Sequence, residues 1–315
     1  MEFAGGRMIK GLELSELYFR EFGEKMLDEK FPEYKEKIAV GLVGDGSECY
    51  GFDDDISKDH DWGPSFCLWL DHEDYQKIGG LLQKEYNNLP KKFRGFERQT
   101  SQWGGGRIGV LEIGAFYQKY LGIPNAPQAL NDWLYIPENH LSTATNGKMF
   151  YDPLGKFSNI RNELLNFYPE DVRLVKIAAR CMSVAQAGQY NYIRSIAHKE
   201  YFAAQYSEIK FSADIMSLIF LLNRQYAPYY KWRHRAVLKL PLLGEFIYSK
   251  ISEMINTANH KRKSDLIELM CSQVIKEFHN MGLSNSSSDF LLDHGPVIHD
   301  KIKDENLRKR DVWAG

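Results

Sequence analysis

The chain has 315 residues, of which 43% are hydrophobic and 26% are charged, and its formal net charge is −2. This length favours two domains, and the ordinary composition indicates a folded globular protein. Because general DNA binding requires a basic face, the near-neutral charge gives it no support.

The cysteines and the apolar runs argue against further classes of protein. The chain has 4 cysteines, which stand far apart and form no Cys-x-x-Cys pair, so neither a structural zinc site nor a disulfide framework is indicated. No signal-peptide core and no apolar run of membrane-spanning length is present. We therefore expect a cytoplasmic protein without a membrane partner.

The first half of the chain mixes helix and strand patterns. Apolar residues recur at helical spacing over residues 12–31, which predicts an amphipathic first helix. Asp71 is a typical N-cap and predicts a helix that runs to about Tyr86, and residues 115–121 predict a short one. Short apolar runs predict four strands, at residues 38–43, 66–70, 108–113 and 148–151.

The second half shows almost no strand pattern. Helical periodicity predicts helices over residues 157–167, 170–188, 190–206, 211–223, 229–238, 242–256 and 261–281. This change of pattern predicts an α/β domain over residues 1–152 and an all-helical domain over residues 153–315.

An acidic, glycine-rich linker joins the first two predicted strands. Asp59 and Asp61 stand two residues apart, so their side chains point to one side if the backbone is extended. Glu112, on a later predicted strand, supplies a third carboxylate, and such a cluster suits Mg²⁺. The rival pair Asp53 and Asp55 follows Ser47 closely and is interpreted as part of a solvated turn.

Gly46 and Ser47 follow the first predicted strand. Glycine allows a ligand to approach the backbone, and the serine hydroxyl suits a terminal phosphate. Together with the acids, they predict transfer of a nucleoside monophosphate from an NTP to a hydroxyl, with release of pyrophosphate and two Mg²⁺ ions bound with the NTP.

These motifs resemble known families. The order strand, Gly46-Ser47, Asp59-x-Asp61, strand and later strand acid is similar to the nucleotidyltransferase superfamily, which includes aminoglycoside and lincosamide adenylyltransferases and minimal nucleotidyltransferases. Unlike in those proteins, residues 62–65 separate the acid pair from the strand. More narrowly, the chain resembles the bacterial DUF4037 proteins at residues 46–54, 59–63, 167–172 and 224–232.

The resemblance implies an α+β fold. An N-terminal polymerase-β-like nucleotidyltransferase domain, a mixed sheet with helices, would precede an all-α helical bundle that closes on the substrate and the nucleotide. ATP is the favoured NTP and AMP the favoured transferred group, while the acceptor is left open among a small molecule, a protein and an RNA.

The helical half offers further candidates. Arg224 and Lys231 flank Tyr226, which predicts a basic and aromatic surface for a triphosphate or a base, with aromatic helix packing as the alternative. Lys176 and Arg180 lie one helical turn apart and are interpreted as a solvated face rather than as phosphate ligands.

Alternatives are left open for the general base and for the overall function. Glu112, Asp171 and Glu200 are candidates for the base that deprotonates an acceptor hydroxyl. A catalytically silent nucleotide sensor or interaction module is the main alternative function. The neighbouring His60 and Asp61 prompt a third hypothesis, a metal phosphohydrolase.

Overall fold

The computed structural model describes residues 9–59, 61–98 and 105–315, with the backbone alone at residues 58 and 59. The chain divides into two compact units, Met1–Pro127 with His140–Asn166, and Gln128–Asn139 with Phe167–Gly315. This division differs from the single boundary predicted after residue 152. Phe157 stays with the sheet because its ring packs 4.2 Å from that of Trp69, and Trp133 joins the second unit because it packs 5.9 Å from Tyr168.

The first unit contains the strands. They are β1 (Ala39–Leu42), β2 (Cys67–Leu70), β3 (Lys92–Phe93), β4 (Phe96–Glu97), β5 (Gly109–Glu112) and β6 (Lys148–Tyr151). Four of them form a mixed sheet in the order β5-β2-β1-β6, and β3 pairs with β4 in a separate hairpin. β1 is antiparallel to β2 and β6, whereas β2 and β5 are parallel. The four strands predicted from the sequence are confirmed.

The sheet core is aromatic because bulky side chains of the strands meet rings from the helices. Every residue of β1 and β2 is buried. Trp69 of β2 packs edge-on against Phe116, at 5.6 Å between ring centroids. Phe66, just before β2, packs against Phe19 and Tyr86. Such contacts add to the free energy gained from burying the rings.

The helices that lie before residue 167 are α1 (Gly11–Tyr18), α2 (Glu24–Lys30), α3 (His72–Asn88), α4 (Ile113–Leu121), α5 (Leu130–Tyr135), α6 (Glu138–Thr145) and α7 (Lys156–Leu165). A π-helical segment, Phe19–Gly23, joins α1 to α2, which confirms one helical stretch at the start. Asp71 caps α3 as predicted, since its carboxylate accepts a hydrogen bond from the Asp74 amide at 2.9 Å.

Among its described residues, the second unit contains helices and connecting segments but no strand. Its later helices are α8 (Glu170–Val184), α9 (Ile193–Ala197), α10 (Tyr201–Leu222), α11 (Tyr230–Val237), α12 (Gly244–Asn256), α13 (His260–Asn280), α14 (His294–His299) and α15 (Glu305–Arg308). A π-helical segment, Ala185–Tyr192, joins α8 to α9. The α+β class, with a mixed sheet followed by a helical region, is confirmed. Within the described residues no helix is both long enough and apolar enough to cross a membrane.

One predicted pair of helices is wrong. Residues 190–206 and 211–223 were predicted as separate helices, but the chain breaks at residues 198–200 and α10 then runs without interruption to Leu222. The Glu200 amide bonds to the Ser195 carbonyl and the Lys199 amide to the Ile196 carbonyl, a Schellman cap with Lys199 at φ 60°. Glycine normally occupies the left-handed position of such a cap. Because a lysine stands there, the sequence carries no signal for the break.

Candidate functional site

The turn after β1 is closely defined by its backbone angles and its hydrogen bonds. Gly44 and Gly46 have φ of 121° and 129°, which side chains rarely tolerate. Asn146 fixes the turn, because its side chain accepts a hydrogen bond from the Gly44 amide at 2.9 Å and donates one to the Gly44 carbonyl at 2.8 Å. The half-exposed Ser47 then precedes a short 3-10 helix, Glu48–Tyr50. Gly46 and Ser47 therefore lie at the C-terminal end of β1, as expected.

Arg107 lies against this turn and was not recognised from the sequence. Its guanidinium donates to the carbonyl of Asp45 at 2.5 Å and to that of Asp61 at 2.6 Å, and it forms an ion pair with Glu48. The Arg107 side chain is only 15% exposed, and burial lowers its pKa. The linker and the segment before β5 are thus tied together by one cation.

A cavity of about 210 Å³ adjoins Arg107 in the first unit. Its lining combines aromatic rings with charged side chains: Tyr75, Arg107, Glu112, Phe116, Lys119 and Tyr120. Near it, the carboxylate of Asp45 accepts hydrogen bonds from Lys119 at 2.8 Å and Tyr120 at 2.9 Å. Burial, with Asp45 nearby, raises the pKa of Tyr120, so the phenol stays protonated and donates. Rings beside cations are suited to a ligand with a flat group and phosphates.

The geometry assumed for the predicted acid pair is wrong. Asp59 ends a short 3-10 helix, Ile56–Asp59, and Asp61 has φ of 52°, so the backbone is not extended there and side-chain alternation does not apply. The side chain of Asp59 and all of His60 lie outside the described residues. Whether the two carboxylates meet stays a prediction.

Glu112 does not join that end of the sheet. It pairs with Leu70 at the C-terminal ends of β5 and β2, whereas Gly41, just before the turn, pairs with Cys67 at the start of β2. From Cys67 to Leu70 the strand rises about 10 Å. Because the side chain of Asp59 lies outside the described residues, whether it shares a metal ion with Glu112 stays a prediction. The Glu112 carboxylate lies 3.3 Å from His72.

The described residues contain no cluster of metal-ligating side chains. Among them, no group of three or more His, Cys, Asp or Glu side chains is placed to hold one. Asp53, expected in a solvated turn, is 2% exposed and accepts from the Gly11 amide at 2.8 Å and the Trp62 indole at 3.2 Å. That expectation is wrong for Asp53, because the carboxylate anchors the first helix, but Asp54 and Asp55 are exposed as predicted.

In the second unit, the predicted nucleotide-binding residues do not form one aromatic surface. Tyr226 is 8% exposed and packs against the rings of Phe167 and Tyr168, at 4.9 and 5.1 Å. Arg224, at φ 52°, caps α10 and forms an ion pair with Glu170 at 2.7 Å. Lys231 is exposed. The alternative, aromatic packing, is therefore confirmed for Tyr226.

Lys176 and Arg180 are not the solvated face that their spacing predicts. Lys176 is 5% exposed and its Nζ donates to the Leu134 carbonyl at 3.1 Å. Arg180 donates to Ser217 at 3.0 Å and to Glu138 at 3.2 Å. The prediction fails because α8 is surrounded by other elements of the second unit, so even its polar positions are enclosed.

Two candidates for the general base, Asp171 and Glu200, lie at the N-terminal ends of α8 and α10. The carboxylate of Asp171 accepts hydrogen bonds from the amides of Lys303 and Asp304, at 3.2 and 2.8 Å. Glu200 is exposed and immediately precedes α10. Of the three candidates for the base, Glu112 is the one that lines the cavity.

Comparisons with known proteins agree with part of the sequence resemblance. The family model described as "Domain of unknown function (DUF4037)" matches residues 133–233, which include two of the four motifs that suggested this family, at residues 167–172 and 224–232. A nucleotidyltransferase-like protein from Exiguobacterium sibiricum 255-15 aligns over 86% of this chain and 81% of its own, with 8% identity and a TM-score of 0.33. No curated protein matches the sequence.

Proposed function

We propose that the chain is a nucleotidyltransferase-type enzyme, which binds an NTP, ATP in the first place, and transfers the nucleoside monophosphate to a hydroxyl acceptor. The observation that carries the proposal is the glycine turn after β1, set beside Arg107 and a cavity of about 210 Å³ with aromatic walls. The acceptor is a small molecule, a protein or an RNA.

The phosphates are assigned to the turn. The Ser47 hydroxyl and the backbone of Gly46 and Ser47 supply hydrogen bonds to phosphate oxygens, and Arg107 and Lys119 supply positive charge. Tyr75, Phe116 and Tyr120 line the cavity and offer rings for the base to contact. Both parts of an NTP thus find suitable chemistry within the first unit.

The reaction exchanges one bond at phosphorus. The acceptor oxygen attacks the α-phosphorus, the bond from that phosphorus to the α,β-bridging oxygen breaks, and pyrophosphate leaves. The acceptor proton passes to Glu112, whose carboxylate lines the cavity and has a side chain 23% exposed. Arg107 and Lys119 stabilise the charge that develops on the leaving pyrophosphate.

Magnesium binding by Asp59 and Asp61 stays a prediction. Because no cluster of metal-ligating side chains is found among the described residues, none of these steps is assigned to a metal ion. Glu112 is proposed as a base, and its role as a metal ligand stays a prediction.

The test follows labelled ATP. The protein is incubated with α-labelled ATP and a metabolite or RNA extract, and label transfer and pyrophosphate release are measured. Glu112→Gln is expected to lower transfer about 100-fold or more but to leave ATP binding unchanged. Ser47→Ala removes one hydrogen bond to a charged group and is expected to weaken ATP binding about tenfold. Glu73→Gln, at a side chain 85% exposed on α3, is the matched control.

A catalytically silent nucleotide-binding module is the second candidate. The observation that favours it is the lack of a carboxylate cluster among the described residues. If ATP binds and neither pyrophosphate release nor label transfer occurs with any acceptor extract, this candidate replaces the first. Release of phosphate from a phosphate ester without an acceptor would instead favour the phosphohydrolase hypothesis.

A further inference from the structure

The guanidinium of Arg107 occupies an oxygen-lined position at the turn. Two backbone carbonyls, of Asp45 and Asp61, and the carboxylate of Glu48 surround it. Carbonyl and carboxylate oxygens are also the ligands that hard divalent cations take in proteins. At this position the chain places one of its own cations among such oxygens.

The turn is shaped to admit the guanidinium. A Cβ at Gly46, where φ is 129°, would lie 2.7 Å from Cζ of Arg107 and 2.6 Å from Oε2 of Glu48, so glycine leaves open the space that these two side-chain ends occupy. Glu48 is itself 5% exposed, and a buried carboxylate requires a partner of opposite charge. The Arg107–Glu48 ion pair is therefore part of the built structure of the turn and not a chance surface contact.

The nearby carboxylates have their own partners. Asp45 accepts hydrogen bonds from Lys119 and Tyr120, and Asp53 accepts them from the Gly11 amide and Trp62. Glu112 lies about 10 Å further along the sheet. The carboxylates of Asp45, Glu48 and Asp53 are thus each neutralised or hydrogen-bonded by the chain.

We infer that Arg107 takes the place of a divalent cation at the phosphate turn, so that the triphosphate of a nucleotide binds there without metal. A guanidinium has five N–H donors, and the contacts of Arg107 with Asp45, Asp61 and Glu48 account for three of them. Within the described part of the chain, two donors are left for phosphate oxygens in the cavity that Arg107 lines. This inference rests on the proposed function.

Calorimetric titration tests it with two probes, ATP and inorganic tripolyphosphate, each in EDTA and in excess Mg²⁺. Wild-type protein is expected to bind both probes with dissociation constants that differ less than about threefold between the two conditions. Arg107→Ala is expected to bind at least about tenfold more weakly in EDTA, since a charge-assisted contact is lost. Mg²⁺ is expected to recover part of this loss, because the variant exposes the carbonyls and Glu48 to a metal ion.

Controls keep the test independent of folding. Arg94→Gly removes an exposed guanidinium from the same unit at a residue with φ of 50°, which glycine tolerates, and is expected to bind as wild type does. Arg107→Lys keeps the charge if the alanine variant does not fold. The wild-type comparison needs no variant.

The two proposals fail in different ways. If wild-type protein binds ATP only with Mg²⁺, the inference is overturned, while the proposed function survives and the Asp59–Asp61 metal prediction gains support. If Arg107→Ala binds ATP in EDTA as tightly as wild type, the inference is also wrong. If none of ATP, GTP, CTP and UTP binds under any condition, the proposed function fails, and the inference fails with it.

Discussion

Replacing Lys176 by methionine is expected to stabilise the protein at neutral pH. Burial lowers the pKa of this lysine to about 8 from an ordinary 10.5, against the opposing influence of Glu138. At pH values below 8 the lysine is charged in both states, and the buried charge costs about 3 kcal/mol of folding free energy. Losing the hydrogen bond to the Leu134 carbonyl costs about 1 kcal/mol. Lys176→Met should therefore gain about 2 kcal/mol at pH 7.

The sign of the pH dependence follows from proton uptake. Between the folded pKa of about 8 and the unfolded 10.5, the unfolded chain binds one more proton at Lys176, so the free energy of unfolding of wild type rises with pH. Methionine does not titrate. The advantage of Lys176→Met should therefore fall by about 2 kcal/mol between pH 7 and about pH 9.5.

Urea unfolding of both proteins, followed by far-ultraviolet circular dichroism at the two pH values, measures this difference. Lys210→Met is the matched control, because Lys210 lies in the same unit with its side chain 42% exposed. A methionine variant that is less stable than wild type at pH 7, or whose advantage does not change with pH, would refute the assignment of Lys176 as a buried charge.

Three substitutions, two in the first unit and one in the second, test the backbone by thermal unfolding. Gly46→Ala places a Cβ against Arg107 at a φ of 129° and is expected to cost about 2 kcal/mol or more of stability. Gly51→Ala, at φ 67° with open space around it, should cost only about 1 kcal/mol. Equal losses would contradict the close packing of the turn. Lys199→Gly relieves the left-handed cap at φ 60° and is expected to stabilise the protein by up to about 1 kcal/mol, and a lower midpoint would contradict the cap.

Periodicity and capping chemistry predicted most of the elements because these signals are local. The four sheet strands, the cap at Asp71 and the helical second half are all confirmed. The break at Lys199 escaped because a lysine holds a position that glycine normally marks. The division into units also escaped, because the packing of Phe157 on Trp69 and of Trp133 on Tyr168 joins residues that are distant in sequence.

For the candidate site, too, some residues were predicted from the sequence and others were not. Gly46 and Ser47 were identified from the sequence, since glycines after an apolar run predict a turn at a strand end. Arg107 was missed: it comes just after a glycine-rich, basic stretch, and nothing in the sequence relates it to residues about sixty positions earlier. Glu112 was identified as a candidate from the sequence, but its place at the end of β5 far from the turn was not, because strand order and register depend on the whole sheet.

By itself, the sequence determined the α+β class, the position of the glycine turn and the DUF4037 resemblance, all of which depend on neighbouring residues or on whole motifs. Only the tertiary structure decided that Glu112 lies at the other end of the sheet, that Asp53 and Lys176 are buried, and that Arg107 closes on the turn. The physical reason is that charge partners and burial are set by strand register and helix packing, which bring distant parts of the chain together.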